Sequence, residues 1–263
     1  MRVLFEANLL ESSWGGFSQT GYSIVLTPAN QSDKCPVCRV NDVTIRFNRI
    51  RNVAGVLQIA NPLSKTGGAA ADGGRYSIHD LFADDLHDKD YKGTGNFLIL
   101  ASAHPAVHDI QIDHVTAFVS GVLLSVLNSG AKLPNFTLTN SVFSIGDRRP
   151  PVVSAGGGPD SCASRTQALG SESVLQACFD PYKFDRNLIV SGRGTFPKGN
   201  ITVGSAEAAG IRDLQETVSK DARLCNAKGP GCPKASPGAA AASDGRDLGA
   251  DIDAVQAAVA GVE

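Results

Sequence analysis

A short pattern of alternating apolar and polar residues, followed by a polar corner, recurs along the chain and restricts its fold more than any other feature. Residues 41–60, NDVTIRFNRIRNVAGVLQIA, contain two such patterns, VTIRF and GVLQI. Strict alternation over a few residues predicts a strand with one buried face. Similar segments follow at residues 78–103, 107–128, 133–146 and 179–192.

The repeats align in one register, in which two apolar residues flank a polar one and usually follow an Asp or Asn. The aligned segments are Asp42-Val43-x-Ile45, Asp80-Leu81-x-Ala83, Asp109-Ile110-x-Ile112 and Asn135-Phe136-x-Leu138, with Val3-x-Phe5 and Tyr182-x-Phe184 near the two ends. Copies two to four lie 29 and 26 residues apart, from position 81 to 110 and from 110 to 136. A period of this length built from short strands predicts a solenoid of stacked coils.

The predicted fold is therefore all-β, a right-handed parallel β-helix with long loop insertions and an irregular C-terminal tail. Stacking at the strand spacing of ~4.8 Å pairs every backbone edge and places like residues above one another. Six apolar side chains should point inward: Val43, Ile45, Ile110, Ile112, Phe136 and Leu138. Three polar ones should point outward: Thr44, Gln111 and Thr137. Corner positions are filled by Asn8, Asn48, Ser141 and Asn187, and Asn at a corner tolerates left-handed backbone and can bond to the next coil.

The chain is predicted to consist of two regions, which meet at the point where the repeats are no longer recognisable. Residues 1–200 are predicted to form the coils, and residues 201–263 an irregular tail or cap packed on them. Glycine-rich insertions occupy residues 61–75 and 147–178. Because the chain starts with what reads as the middle of a strand, VLFEA, we expect further coils on its N-terminal side.

The six cysteines form three pairs that are local in sequence: Cys35 and Cys38, Cys162 and Cys178, and Cys225 and Cys232. Disulfides in loop-like stretches favour an oxidising compartment, secreted or periplasmic. The first residues do not resemble a secretion signal, which favours a chain truncated at its start. A redox or zinc role for Cys35-Pro-Val-Cys38 is the alternative, but no second Cys-x-x-Cys follows.

The charge pattern excludes several classes of partner. The net charge is −2 and the basic residues are spread along the chain, so no nucleic-acid partner is expected. No apolar run approaches the roughly 20 residues of a membrane-spanning helix. We expect a monomer without a cofactor.

Three segments resemble known proteins: NLLESSWGGFSQTGYSIVLTPANQ, CPVCRVNDVTIRFNRI and ASPGAAAASDGRDLGADIDAV. They are similar to the right-handed parallel β-helix proteins of the pectin-lyase-like superfamily, and within it to bacterial secreted proteins of mostly unassigned function. The resemblance implies a protein that cleaves or binds a polysaccharide along one groove. Of the spaced polygalacturonase motifs only Asp84-Asp85 matches, and Ile112-Asp113-His114 resembles loosely a pectate-lyase strand. Neither catalytic set is complete.

The candidate chemistry lies in an Asp- and His-rich segment, residues 79–114. The predicted register places Asp85 and His114 at equivalent positions of stacked coils, where a carboxylate beside an imidazole forms an acid/base pair. Asp84 and Asp113 would be their electrostatic partners, and Arg46 would bind an acidic sugar. Asp84 and Asp85 together would suit Ca²⁺, which prefers carboxylate oxygens.

Each of these residues also has a structural interpretation. Asp and His at solenoid corners commonly bond along the stack, and Asp42, Asp80 and Asp109 recur as one column. Trp14 lies in a glycine-rich loop, where it would either stack on a sugar or cover the edge of a coil. Two functions stay open: a polysaccharide lyase or glycoside hydrolase acting on an acidic glycan, and a non-catalytic carbohydrate-binding or cell-surface module.

Overall fold

The computed structural model describes residues 2–16, 20–62, 68, 70–86, 90–103, 107–128, 131–145, 150–154, 162, 170–190, 196–212, 223–225 and 235–262. The strands are β1 (Val3–Glu6), β2 (Leu9–Ser13), β3 (Tyr22–Leu26), β4 (Arg39–Arg46), β5 (Arg49–Val53), β6 (Gly55–Ala60), β7 (Asp72–Leu86), β8 (Leu98–Ala103), β9 (Val107–Val119), β10 (Leu124–Asn128), β11 (Phe136–Thr139), β12 (Val142–Ser144), β13 (Val152–Ser154), β14 (Tyr182–Asp185), β15 (Leu188–Val190), β16 (Ile201–Val203), β17 (Ile211–Arg212) and β18 (Arg223–Leu224). The helices are α1 (Ser171–Cys178), α2 (Ala206–Ala209) and α3 (Ile252–Val259), with a short 3₁₀ turn at Gln31–Asp33.

Strands of successive repeats pair in parallel and form three rows. The first row runs through β1, β4, the first half of β7, the first half of β9, β11 and β14. The second row runs through β2, β5, the second halves of β7 and β9, β12, β15 and β16, and the third through β3, β6, β8, β10 and β13. Strands β17 and β18 form a separate antiparallel pair. The prediction of a mostly β chain is confirmed, with parallel sheets.

The register of the first row confirms most of the predicted alignment and corrects one repeat. The aligned positions run through Val3, Val43, Tyr76, Ile110, Phe136 and Tyr182. The prediction was wrong for Leu81, which lies opposite Val115 in the second row. Strand β7 continues for 15 residues through the bend. Asp80, which precedes Leu81, matched Asp42 and Asp109 in residue type, whereas Arg75 occupies the equivalent left-handed position.

The bend between the first and second rows lies at residues with left-handed backbone. One such residue is found in each repeat: Ala7, Phe47, Asp80, His114, Asn140 and Arg186. A second left-handed column, at the start of the first row, contains Asp42, Arg75, Asp109 and Asn135. Asp80 therefore belongs to the first of these columns and not, as predicted, beside Asp42 and Asp109. Since Asn and Asp tolerate this conformation better than most residues, their frequency at the bends has a backbone cause.

The predicted corner residues form a ladder of side-chain hydrogen bonds. The side-chain amide of Asn48 donates to the carbonyl oxygens of Phe5 and Arg46 at 2.9 and 2.8 Å, and its Oδ1 accepts from the backbone N–H of Asn8 at 2.9 Å. Asn187 accepts from the backbone N–H of Ser141 and donates to the carbonyl of Leu138 in the same way. Each side chain thus satisfies backbone groups of the preceding repeat, and Asn48 also satisfies one of its own repeat, as buried polar groups require.

The main core lies between the rows and is built from the predicted inward side chains. Val43, Ile45, Ile110, Ile112, Phe136 and Leu138 are all buried. Thr44 and Thr137 are partly exposed and Gln111 is exposed, which confirms the predicted alternation. Aromatic pairs such as Phe136 and Phe179, with ring centroids 4.4 Å apart, fill the space between repeats.

The C-terminal tail covers a second apolar surface on the outside of the second row. Phe82, Phe118, Val142 and Leu188 face outward there, and they pack against tail residues that include Ala242, Leu248, Ile252 and Val255. Helix α3 contacts β5 and β7, so the tail runs back along the stack from its C-terminal end. Gly249 has a φ of 88°, and a Cβ at this position would lie 2.4 Å from Oγ1 of Thr116. Only glycine fits this close approach.

Two predicted disulfides are present, Cys35–Cys38 and Cys162–Cys178. Cys35 and Cys38 are therefore joined to each other and do not bind zinc as thiolates. Cys225 is also disulfide-bonded, while Cys232 lies outside the described residues. In the described part of the chain, no helix is long and apolar enough to span a membrane.

Replacing Asn48 with Ala should lower the free energy of unfolding by about 1–3 kcal/mol, because it leaves buried backbone groups of two repeats without partners. Gln111→Ala, an exposed position in the same stack, should change it by less than about 0.5 kcal/mol. Chemical denaturation followed by circular dichroism measures both. Equal effects of the two substitutions would contradict the stabilising role of the Asn48 hydrogen bonds.

Candidate functional site

A row of polar side chains crosses the outer face of the first row of strands. It lies at the last position before the bend, and it runs through Glu6, Arg46, His79, Asp113, Thr139 and Asp185 on consecutive strands. We call these residues the polar row. Of the predicted site residues, Arg46 and Asp113 belong to it, and they flank His79.

Arg46 is held at one end of the polar row. Its Nε donates to Oε1 of Glu6 at 2.7 Å, and its guanidinium carbon lies 5.8 Å from the centre of the Phe47 ring. The side chain remains 38% exposed. An ordered and partly exposed guanidinium can bind a carboxylate through its planar set of donors, so the predicted role in binding an acidic sugar fits its position.

His79 is oriented by the residue that follows it. Its Nδ1 lies 2.8 Å from Oδ2 of Asp80, which is buried at the bend. Burial alone raises the pKa of Asp80, but the hydrogen bond from His79, with the charges of His79, Arg246 and His114, lowers it overall. The carboxylate is therefore ionised and fixes the imidazole with Nδ1–H towards it. A carboxylate that orients an imidazole in this way is a common arrangement in general acid/base catalysis.

Asp113 is a predicted catalytic residue with a partly exposed side chain. It lies opposite His79 on the neighbouring strand. Its Oδ1 accepts hydrogen bonds from Oγ1 of Thr139 and Nδ2 of Asn140, both at 2.8 Å, and the side chain is 41% exposed. Asp113 and His79 are thus cross-strand neighbours on this face, a combination that the sequence did not predict.

His114 does not lie beside Asp85, and the predicted pair is wrong. Since His79 pairs with Asp113 and Leu81 with Val115, His114 lies opposite Asp80. It is 2% exposed, and its Nδ1–H donates to the carbonyl oxygen of Gly249 in the tail at 3.0 Å. Its Nε2 lies 3.3 Å from Oδ2 of Asp244, outside hydrogen-bond geometry. His114 thus fastens the tail to the sheet.

Asp84 and Asp85 are separated from the polar row as well. Asp84 is buried and accepts hydrogen bonds from Nε and Nη2 of Arg49 at 3.3 and 3.0 Å. Burial raises the pKa of Asp84 in spite of these bonds. Asp85 occupies a left-handed bend at the end of β7. Because both oxygens of Asp84 face Arg49, the two carboxylates do not form an open pair for Ca²⁺. In the described residues no cluster of three or more metal-ligating side chains is present.

The tail contributes charges that lie against the bend. Arg246 donates to Oδ2 of Asp244 at 2.6 Å and lies 3.7 Å from Oδ1 of Asp80. Hydrogen bonds from the side chain and backbone of Arg246 lower the pKa of Asp244 to about 2. No pattern in the sequence connected residues 244 and 246 with residue 80, because the contact joins segments far apart in the chain.

A second charged cluster, also not predicted as a unit, surrounds His108. Its Nδ1 lies 2.6 Å from Oδ2 of Asp109 and its Nε2 lies 2.8 Å from Oδ1 of Asp72. The ring can donate a hydrogen bond to each of the two carboxylates only when both of its nitrogens are protonated. Burial alone lowers the pKa of His108, but the two hydrogen bonds and the two charges raise it overall. The ring lies close against Gly74, where a Cβ would come within 2.9 Å of it.

Trp14 is 59% exposed, and its ring centre lies 6.3 Å from that of Tyr91. It belongs to the segment after β2, away from the polar row. The structure therefore does not bring Trp14 together with Arg46 at one site. Its predicted contact with a sugar stays a prediction, separate from the polar row.

The His108 cluster should make stability depend on pH. The pKa of His108 is higher in the folded than in the unfolded protein. The resulting stabilisation is complete below the pKa of the unfolded state, about 6.5, and is lost as the pH rises through the pKa of the folded state. The lowered pKa values of Asp72 and Asp109 contribute stability above about 3.9 that is lost in acid. The difference in unfolding free energy between wild type and His108→Gln should therefore shrink from pH 6 to pH 9. A constant difference over this range would contradict the double ion pair.

Arg49→Ala should lower the unfolding free energy by about 3 kcal/mol or more, because it leaves the Asp84 carboxylate buried and unpaired. The double variant Arg49→Met/Asp84→Leu should recover most of this loss, since apolar side chains of similar volume avoid the desolvation of two charges. Thermal and denaturant unfolding of the three proteins measures the recovery. A double variant no more stable than Arg49→Ala would contradict the assignment of Asp84 to structure.

Comparison of the chain with models of protein families, with curated proteins and with solved structures found no match.

Proposed function

We propose that the chain is a secreted or periplasmic parallel β-helix of the pectin-lyase-like type that binds an acidic polysaccharide along the outer face of the first row. Three rows of strands with parallel register from repeat to repeat support the fold, as do the bends that recur at left-handed residues. The disulfides support an oxidising compartment. A stack of this kind presents an extended face rather than a closed pocket.

The observation that carries the proposal is the repetition of polar side chains along this face, most of them partly exposed and only Thr139 buried. Beside the polar row, a parallel column starts at the apolar Leu4 and continues through the polar side chains of Thr44, Ser77, Gln111, Thr137 and Lys183. Consecutive members stand one strand spacing of ~4.8 Å apart. Hydroxyl, amide and charged groups repeated at a fixed distance suit a ligand that itself repeats, such as a polysaccharide chain.

Arg46 and Lys183 are the cationic members of the two columns, and they are the groups of this face that would bind an acidic glycan. In the structure they are paired with Glu6 and Asp185, at 2.7 and 3.9 Å. Asp113 is a third carboxylate of this face, so an acidic glycan would bind through the two cations and not through the net charge of the face. A uronate carboxylate beside Arg46 would replace the partner that Glu6 supplies in the structure.

A second candidate, cleavage of the bound glycan, is favoured by His79 and Asp113. They are cross-strand neighbours, and Asp80 orients the His79 ring at 2.8 Å. In a lyase or hydrolase built on this pair, one group would remove a proton and the other would protonate the leaving oxygen. Asp84 and His114 are buried, so of the catalytic residues predicted from sequence only Asp113 takes part in this candidate.

Arg46→Gln should weaken binding to an acidic polysaccharide such as polygalacturonate by roughly threefold to tenfold, as expected for loss of one charge-assisted contact. Arg51→Gln is the matched control, because Arg51 makes the same kind of contact with Glu11, at 2.8 Å, in the second row. Affinity electrophoresis or calorimetry measures both. Equal weakening by both substitutions, or no binding by wild type, would rule out this face as the site.

His79→Gln should abolish cleavage if the second candidate holds, and should leave glycan binding within about twofold of wild type. Absorbance of unsaturated products and release of reducing ends measure cleavage of the same polysaccharide. Binding without turnover by the wild type would leave the non-catalytic function as the correct one.

A further inference from the structure

The Cys35–Cys38 disulfide lies on a loop between β3 and β4 that the function proposed above does not use. Both cysteines are partly exposed, and Pro36 and Val37 between them are exposed, Val37 by 70%. A thiol exchanges with a disulfide only by reaching one of its sulfur atoms directly. The surface position of this loop leaves such an approach open.

The Cys162–Cys178 disulfide has the opposite setting. Cys178 is completely buried in the main core, and Cys162 packs against that core. Its cysteines are separated by 16 positions in the sequence, against 3 for Cys35 and Cys38. Closing a short loop restricts the unfolded chain less than closing a long one. Stabilisation of the fold therefore explains Cys162–Cys178 better than it explains Cys35–Cys38.

The loop is held by hydrogen bonds that do not involve the sulfur atoms. The backbone N–H of Cys35 donates to Oδ1 of the buried Asn30 at 2.7 Å. The N–H of Cys38 donates to the carbonyl oxygen of Cys35 at 3.1 Å, and the carbonyl oxygen of Cys38 accepts from the N–H of Ala71 at 2.9 Å. Since these bonds do not depend on the disulfide, they can keep the two thiols of a reduced pair close together, so that the disulfide can form again.

The charged residues next to the cysteines favour the thiolate form. Lys34 precedes Cys35, Arg39 follows Cys38, and both are exposed. The nearest acidic residue in the sequence, Asp33, has its Oδ1 3.4 Å from Nδ2 of Asn30. Neighbouring cations stabilise a thiolate, and a stabilised thiolate leaves a disulfide faster. The loop therefore combines access to sulfur with a local excess of positive charge.

We propose that the Cys35–Cys38 disulfide is a thiol–disulfide exchange site that oxidises dithiols of other proteins. A substrate thiolate attacks the sulfur of one cysteine, the Cys35–Cys38 bond breaks, and the other cysteine leaves as a thiolate. The second substrate thiolate then attacks the mixed disulfide and releases the first cysteine. The substrate leaves with a disulfide, having given two electrons and its two thiol protons to Cys35 and Cys38. The site is independent of the polysaccharide face, because neither cysteine belongs to its two columns.

The test mixes the oxidised protein with a synthetic peptide that carries two reduced cysteines, at neutral pH, and stops the reaction by alkylation. Mass spectrometry then counts the peptide disulfides formed and identifies the alkylated cysteines of the protein. Cys35 and Cys38 should become alkylated roughly tenfold or more faster than Cys162 and Cys178, because exchange requires access to sulfur. One peptide disulfide should form for each pair reduced. Equal rates for the two pairs, or no oxidation of the peptide, overturns the proposal.

Substitution of the two cysteines separates exchange from a structural role. The double variant Cys35→Ser/Cys38→Ser should keep the circular dichroism spectrum of the wild type and should no longer oxidise the peptide. Val37→Ser is the matched control, because it changes the same exposed loop and keeps both cysteines, and it should oxidise the peptide as the wild type does. Continued oxidation by the double variant, or loss of its fold, overturns the proposal.

Discussion

Parallel backbone pairing between successive repeats is the interaction on which the rest of the structure depends. Each strand of the three rows satisfies its neighbour in the next repeat, so apolar side chains of like position stack into one continuous core. The bends must then leave the backbone groups beside them satisfied. Asn8, Asn48, Ser141 and Asn187 do so through their side chains, and this is why polar residues are buried at the corners.

The left-handed bends place two ionisable side chains in the interior of the protein and not on its surface. Asp80 and His114 occupy equivalent bend positions, and both are buried because the tail passes over them. Their partners come from two directions, His79 from the same strand and Asp244, Arg246 and Gly249 from the tail. The bend thus separates an accessible polar row on one side from a buried charged junction on the other.

The tail makes the two outer faces different in exposure and polarity. Over the second row it covers Phe82, Phe118 and Val142, beside a cavity whose lining includes Asp247, Asp251 and Asp253. The face of the first row keeps its two columns of mainly polar side chains on the outside. Such an extended polar face suits the polymer with repeated units that is proposed to bind there.

The sequence by itself determined the repeating strands, the inward and outward alternation, the polar corner residues and two disulfide pairs. Each of these depends on local periodicity or spacing, which a single chain reveals. It did not determine which part of β7 lies opposite the first half of β9, because Asp80 resembles Asp42 and Asp109 in type while Arg75 holds their position, and this error produced the false pairing of Asp85 with His114. Three contacts were decided only by tertiary structure. They are the ion pair of Asp84 with Arg49, the hydrogen bond from His114 to the carbonyl oxygen of Gly249, and the approach of Arg246 to Asp80. These contacts join residues 35 to 166 positions apart, and no local pattern encodes a contact over such a distance.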